Sequence, residues 1–452
     1  MKIVIAGCGK VGTALAEHLC EEKHDIVVID PVESRLNYLA NTQDVMCMVG
    51  DAKSMEVLKS ADIEHADLML AMTADDEENL IICLIAREMG CKNTIARVRN
   101  PVYDKTISVI RDTLGLSMTI NPDYEAAREI FKSLRFKSAG QVETFAKGRT
   151  EILTCYVKEG TPICNVQIKD VYDVIKTRVF FCAIKRDEQV FIPDGFTEIK
   201  AGDTLSFVAS REDADAFFKK LNYDTGRIRD LTIIGGGKLG YYLGKMAIED
   251  GIMLKLVDQD PEKCRMLDAE LKVANVICGD GMDTKLLYEE SILKSSAVAC
   301  LTGSDATNTL IAMYLTRNCP DAKIISKIKK SDFEDMLFNL GYGSVYNAKY
   351  IAVDRIIRYV RAMGNAFEGE FQSLSHIIDN KVEVLEFIVH EDCPHIGEPL
   401  KDIHFKKNLL IANVRRGART FVPGGSDTFE PGDTLLVVTT IHGISMFAEI
   451  FA

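Results

Sequence analysis

Two glycine-rich hexapeptides, Gly7-Cys8-Gly9-Lys10-Val11-Gly12 and Gly235-Gly236-Gly237-Lys238-Leu239-Gly240, have the spacing that lets main-chain amides receive a pyrophosphate. The first glycine permits a tight turn after a strand. Gly9 or Gly237 lets the phosphates approach the backbone, and Gly12 or Gly240 lets the helix pack on its strand. Lys10, Val11, Lys238 and Leu239 begin those helices and are candidate contacts with the same ligand. An acidic partner follows each set at one distance: Asp30 lies 18 residues after Gly12, and Asp258 lies 18 after Gly240. A carboxylate there accepts hydrogen bonds from ribose hydroxyls and repels a 2′-phosphate, so NAD(H) or an adenine nucleotide is favoured over NADP. One fingerprint of this kind is weak, because a glycine turn and a terminal Asp also merely close a strand and cap a helix. Two copies in register make the chain an internal tandem of nucleotide-binding units.

Further positions line the same crevice at the strand ends: Gly50-Asp51, Thr73 and Arg97, matched by Gly279-Asp280, Thr302 and Lys327. Arg97 is informative, since a cation in a mainly apolar strand needs a partner. Phosphate oxygens or an interface carboxylate serve equally. The change to Lys327 replaces a planar fork with a point charge, so the two sites are expected to differ in ligand preference. The acidic run Asp75-Asp76-Glu77-Glu78 reads as the favourably charged start of a helix, with Asp305 and Asn308 in the matching place. His390, Cys393 and His395 fit no regular zinc spacing and read as a surface loop. Neither a metal ligand nor a catalytic residue is assigned.

The elements that position these residues alternate strand and helix. Apolar runs at residues 2–6, Ile26–Asp30, Val45–Met48, Leu68–Ala71 and Thr94–Val98 are strands, separated by amphipathic helices such as Val11–Cys20 and Glu78–Met89. The second copy repeats each step at Leu231–Ile234, Leu254–Asp258, Val276-Ile277, Val298–Leu301 and Lys323–Ile328. Alternation of this kind predicts a parallel sheet with right-handed crossovers. Asn121-Pro122 opens a helix from Asp123 to Arg135, and Asn347-Ala348 opens a longer one from Lys349 to Met363. Beyond each, short strands (Ile152–Val157, Val179–Ile184, Thr204–Ala209, then Val382–Val389, Leu409–Val414, Thr434–Val438) with Gly202-Asp203 and Gly432-Asp433 turns predict a small α+β domain. The expected fold class is α/β, with two Rossmann-like parallel-sheet domains, each followed by a small α+β domain. Expected boundaries are 1–120, a crossover helix and linker 121–140, 141–225, 229–346, a second crossover helix and linker 347–372, and 373–452.

Composition sets the class. At 452 residues, with 47% hydrophobic and 27% charged residues, the chain can bury several cores. No apolar run approaches the length of a membrane span, and Met1-Lys2 leads directly into a strand, so neither a spanning nor a secreted protein is expected. Thirteen cysteines scattered without a CxxC pair suit a reducing cytosol. A formal net charge of −13, with no basic stripe, argues against nucleic acid as a partner. A dehydrogenase needs a general acid or base and a substrate pocket supplied by another domain. Here the additional domains are small and duplicated, their histidines (His376, His390, His395 and His404) fall in the second half, and no GxSxG motif occurs. The pattern points to sensing, so the chain is read as no enzyme. A soluble NAD-dependent oxidoreductase is the alternative, and a redox-sensing repressor, lacking a winged helix, a third.

The succession of GCGKVG, Asp30, Gly50-Asp51-Ala52, Thr73 with Asp76 and Asn79, Arg97-Val98-Arg99-Asn100-Pro101, Asn121-Pro122 and a small Gly-Asp-containing domain resembles the RCK, or KTN, family of domains that regulate potassium conductance. The resemblance runs from Met1 to Ala452, and two such units in one chain resemble the regulators of Trk-type potassium uptake. It implies a peripheral regulatory subunit on the cytoplasmic face of the inner membrane, gating a TrkH/TrkG-type potassium transporter or channel. Its small domains would be RCK C-terminal domains. It further implies NAD(H) and ATP or ADP as ligands at Gly7, Gly9, Gly12, Asp30, Asp51, Thr73, Arg97 and their matches, and self-association into a dimer or tetramer ring. The second copy departs at Lys327 and at Lys330-Ser331, which replace Arg97 and Asn100-Pro101.

Overall fold

Aliphatic runs punctuated by glycine turns form two six-stranded parallel sheets in the computed structural model. It describes residues 1–140, 142–145, 150–187, 189–223, 225–329, 344–364, 371–378, 381–444 and 446–452. The first sheet contains β1 (Lys2–Ala6), β2 (Asp25–Asp30), β3 (Met46–Val49), β4 (Leu68–Ala71), β5 (Asn93–Arg97) and β6 (Met118–Ile120), in the order β3-β2-β1-β4-β5-β6. The order reverses at β1, so the crevice beyond the carboxyl ends of β1 and β4 is the topological switch point where such sheets take their ligands. Helices such as Lys10–Glu21 and Asp76–Glu88 cover the faces, and Val4, Ile29, Met69 and Ala96 of the strands share one core with Ile82 of the latter helix.

A first small lobe follows, with β7 (Val142–Phe145), β8 (Thr150–Tyr156), β9 (Phe180–Arg186), β10 (Gln189–Phe191) and β11 (Thr204–Ala209) in an antiparallel sheet ordered β10-β9-β11-β8-β7. The second parallel sheet holds β12 (Asp230–Ile234), β13 (Met253–Asp258), β14 (Asn275–Cys278), β15 (Ala297–Cys300), β16 (Lys323–Lys327) and β17 (Ser344–Tyr346), ordered like the first. The second small lobe has β18 (Phe371–Ile377), β19 (Val382–Ile388), β20 (Leu409–Arg416), β21 (Arg419–Phe421) and β22 (Thr434–Thr439), ordered β18-β19-β22-β20-β21. The expected class, α/β with two Rossmann-like domains each followed by a small α+β domain, is the observed one. Sequence periodicity gave five strands per parallel sheet. The sixth, β6 or β17, has three residues, too few to show a period of two.

By packing, the chain forms two bodies: Met1–Ala127 with Asn347–Tyr359, and Arg128–Tyr346 with Val360–Ala452. Each crossover helix is therefore divided: Pro122–Ser133 ends in the second body, and Ala348–Gly364 begins in the first. Within the first body, Arg355 from the later helix lies 3.4 Å from the buried Glu125 of the earlier one. Within the second, the buried Lys323 of β16 donates to the carbonyls of Phe136 at 3.0 Å and Ala139 at 2.5 Å, just after the first crossover helix. Burial pushes this amino group down to about 7. The inner faces of the two small sheets also meet in the second body, where Phe145, Ile152, Cys182 and Val208 pack with Ile377, Val384, Leu436 and Val438.

The Gly-Asp turns of the small lobes have a structural explanation. Asp203, fully buried, receives Nε and Nη2 of Arg186 at 2.8 and 2.7 Å, and Asp433 receives Arg416 at 2.8 and 2.8 Å. Each is a bidentate pair tying the start of the last strand to its neighbour.

Candidate nucleotide crevices

Both glycine loops adopt one geometry, and each glycine has its own reason. Gly7 has φ +99°, and a Cβ there would sit 2.9 Å from the main chain of Met72 and Thr73 on the neighbouring strand end. Gly235 repeats this with φ +113° and 2.7 Å to Leu301. A Cβ on Gly12 would come within 2.0 Å of the Gly7 carbonyl oxygen, and one on Gly240 within 2.3 Å of that of Gly235. Gly9 and Gly237 differ: φ is −86° and −70°, and a Cβ would meet no atom within 4 Å. Nothing in the fold itself requires glycine at these two positions. Both are helix N-caps without a side-chain cap, and neither helix has an acidic residue in its first turn. The first turns Lys10-Val11-Gly12 and Lys238-Leu239-Gly240 thus have neither a side-chain cap nor an acidic residue of their own, which suits a phosphate.

Asp30 and Asp258 are buried at the carboxyl ends of β2 and β13. The Asp30 carboxylate accepts the amides of Cys8 at 2.8 Å and Val32 at 2.9 Å. Asp258 accepts those of Gly236 at 2.8 Å and Asp260 at 3.0 Å. Each Asp therefore holds its glycine loop against the second strand while retaining lone pairs for a further donor. A cation stands beside each: Arg35 is 3.6 Å from Asp30, and Lys263 is 3.3 Å from Asp258.

Asp51 and Asp280 begin matching turns, accepting the amides of Lys53 and Met282 at 2.9 Å each. Thr73 and Thr302 are fixed by a residue whose role periodicity does not reveal. Asn79, fully buried, accepts the Thr73 amide at 2.8 Å and donates to the Arg97 carbonyl at 2.9 Å; Asn308 does the same for Thr302 and Lys327 at 2.8 and 2.9 Å. This amide clamp joins the ends of the fourth and fifth strands from beneath. Above it, Arg97 Nη1 donates to the Thr73 carbonyl at 2.7 Å, while Lys327 Nζ donates to Leu301 at 3.0 Å. Burial lowers the Arg97 pKa, with neighbouring Arg99 adding to the effect.

The acidic run opens its helix. Asp75 caps the Glu78 amide at 2.8 Å, and Asp76 accepts the amides of Arg99 and Asn100 at 3.0 and 2.8 Å, drawing in the loop after β5. Asp305 takes the Lys329 amide at 3.0 Å in the second copy; Lys330-Ser331 lie outside the described residues. In the second lobe Cys393 Sγ accepts the His390 amide at 3.1 Å, and His395 pairs with Glu398 at 3.0 Å. His442, which sequence reading passed over, is brought beside His376 and Glu383.

The TrkA-N domain family matches residues 3–122 and again 231–348, and the TrkA-C domain family matches 155–222 and 384–452. A Trk system potassium uptake protein TrkA homolog of Archaeoglobus fulgidus is 32% identical over 451 residues, covering 100% of both chains. The Trk system potassium uptake protein TrkA of Azorhizobium caulinodans is 24% identical, covering 100% of this chain and 98% of the relative. Among solved structures, the GsuK RCK domain superposes with a TM-score of 0.61 at 17% identity, covering 97% of this chain and 92% of that one. The GsuK channel bound to NAD gives 0.60 at 16%, covering 97% and 76%. Those two likenesses concern the fold. Full-length matching to the uptake proteins, with both domain types present twice in the same order, shows that the chain belongs to the TrkA family of Trk system potassium uptake proteins.

Proposed function

We propose that the chain is a nucleotide-sensing regulatory subunit of a membrane potassium-uptake system, and not an enzyme. The observation that carries this reading is the open space over Gly9 and Gly237, each at an uncapped helix start beside a buried Asp. Glycine retained where the protein leaves room for a side chain fits a ligand that fills the space. NAD(H) and ATP or ADP suit an Asp-anchored ribose and amide-bound phosphates. Gly7, Gly9, Lys10, Val11, Gly12, Asp30, Asp51, Thr73 and Arg97 form one site; Gly235, Gly237, Lys238, Leu239, Gly240, Asp258, Asp280, Thr302 and Lys327 form the other.

The partner is a TrkH/TrkG-type transporter, met from the cytoplasmic face of the inner membrane by a self-associated ring. No helix of the described residues is long and apolar enough to cross a bilayer, consistent with a peripheral placement. Gating requires no bond in the nucleotide to break. A nucleotide that binds one ring geometry more tightly than another shifts the population by that difference in affinity. Reversing a two-state ring from about 1:99 to 99:1 takes roughly 5.5 kcal/mol, a sum that several sites supply jointly through modest differentials.

Calorimetric titration with NADH, NAD, ATP and ADP, repeated on Asp30→Ala and Asp258→Ala, tests the assignment. Loss of different ligands in the two variants is the expected outcome. Unaltered binding in both variants would remove Asp30 and Asp258 from the sites, and no binding by wild type would end the sensor reading.

A further inference from the structure

We propose that His376, Glu383 and His442 of the second small lobe form a binding site for a divalent transition-metal ion of the zinc class, which no sequence motif announces. The three residues come from separate segments. His376 on β18 is the direct cross-strand partner of Glu383 on β19, Glu383 in turn faces Thr439 on β22, and His442 stands three residues beyond. Glu383 and His376 are buried, at 1% and 4% side-chain exposure, whereas His442 is 55% exposed and opens the cluster to solvent.

The distances fit an ion. His376 Nε2 lies 3.5 Å and His442 Nδ1 lies 3.3 Å from Glu383 Oε1, and one ligand atom from each residue lies within 4.8 Å of both others. Nitrogen and oxygen ligands bound at about 2.0–2.1 Å to a tetrahedral ion stand roughly 3.3–3.4 Å apart, which two of the three edges meet. The third edge closes by rotation of the exposed His442. Two imidazoles and one carboxylate make a set with an open fourth position, and imidazole selects zinc, cobalt or nickel over magnesium and calcium.

Arg361 completes the surroundings, with Nη2 at 2.9 Å from Oε1 and Nη1 at 3.2 Å from Oε2 of Glu383. Its charge opposes a second cation, so the ion must bond strongly to nitrogen. Its contact with Oε2 orients the carboxylate, the usual task of an outer-shell partner. The first lobe serves as an internal control: there Glu151 pairs with Thr144, which has no imidazole. The site is a property of the second lobe alone, joining β18, β19 and the segment after β22.

Chelator-stripped full-length protein is titrated with zinc against a chromogenic competitor, and with cobalt by visible absorption. His442→Ala is the informative variant because its side chain is 55% exposed and fills no core; His376→Gln is the second. Wild type is expected to bind one more zinc equivalent than either variant, or to bind it at least about tenfold more tightly. Its cobalt spectrum should show ligand-field bands that vanish in His442→Ala, without the near-ultraviolet thiolate band that cysteine ligation produces. Zinc should raise Tm in wild type only. Equal stoichiometry and affinity in wild type and both variants, or a cobalt spectrum carried by thiolate, would overturn the site.

Discussion

Arg97 and Thr73 meet across the ends of β5 and β4, Nη1 donating to the threonine carbonyl at 2.7 Å, while Arg97 Nε is buried with no acceptor among the described residues. A guanidinium held by one edge leaves the rest of its fork for an oxyanion. Arg97→Met should keep the unfolding free energy within about 1 kcal/mol of wild type, since Asn79 still clamps the same strand ends. It should weaken nucleotide binding at the first site by tenfold or more. Calorimetry on the variant checks this, and unchanged affinity would make Arg97 a strand-end brace alone.

The glycines of one loop should separate by effect. Gly12→Ala places a methyl 2.0 Å from the Gly7 carbonyl and should cost about 1–3 kcal/mol by denaturant titration. Gly9→Ala meets nothing and has φ −86°, so stability should hold within about 0.5 kcal/mol while nucleotide affinity falls. Equal losses of stability would contradict the open-crevice geometry.

Lys323 gives the fold a pH dependence of known sign. Its folded value is near 7 and its ordinary value 10.5, so between them the unfolded chain carries the extra proton. Stability therefore rises with pH across that window, and the penalty, on the order of a few kcal/mol, is fully present below about 7. Lys323→Met should flatten the slope of unfolding free energy between about pH 7 and 10. Parallel slopes in variant and wild type would show that the amine keeps its proton through its bonds to Phe136 and Ala139.

Removing Arg186 leaves the buried Asp203 without its counter-charge, held by the Lys200 amide at 2.8 Å. Arg186→Ala should cost about 3 kcal/mol, as should Arg416→Ala in the matching lobe, because an uncompensated buried carboxylate is the larger loss. Denaturant titration reads the cost, and nucleotide binding at the glycine crevices should be unaffected.

The sequence made some of this legible and concealed the rest for identifiable reasons. Gly7, Gly12 and Asp30 act through fixed local spacing, and a spacing survives in one dimension. The reason for Gly9 is different in kind, since it appears only when the space over it is seen to be open. Asn79 bonds residues 6 before and 18 after itself, a relation that exists only once β4 and β5 are adjacent. Arg361, His376, Glu383 and His442 come from a helix, two strands and a loop, so no interval between them has meaning before the lobe folds. His390, Cys393 and His395 show the converse: close in sequence, they do not converge, since Cys393 Sγ takes the His390 main-chain amide and His395 pairs with Glu398. β6 and β17 were missed because three residues carry no periodicity.

The division of the two crossover helices bears on what a fragment of this chain can complete. Residues Asn347–Tyr359 complete the body built on the first sheet, and Arg128–Tyr346 with Val360–Ala452 form the second. A fragment ending before Asn347 lacks the helical segment that completes the first body. A fragment beginning at Arg128 carries that segment without the body it belongs to.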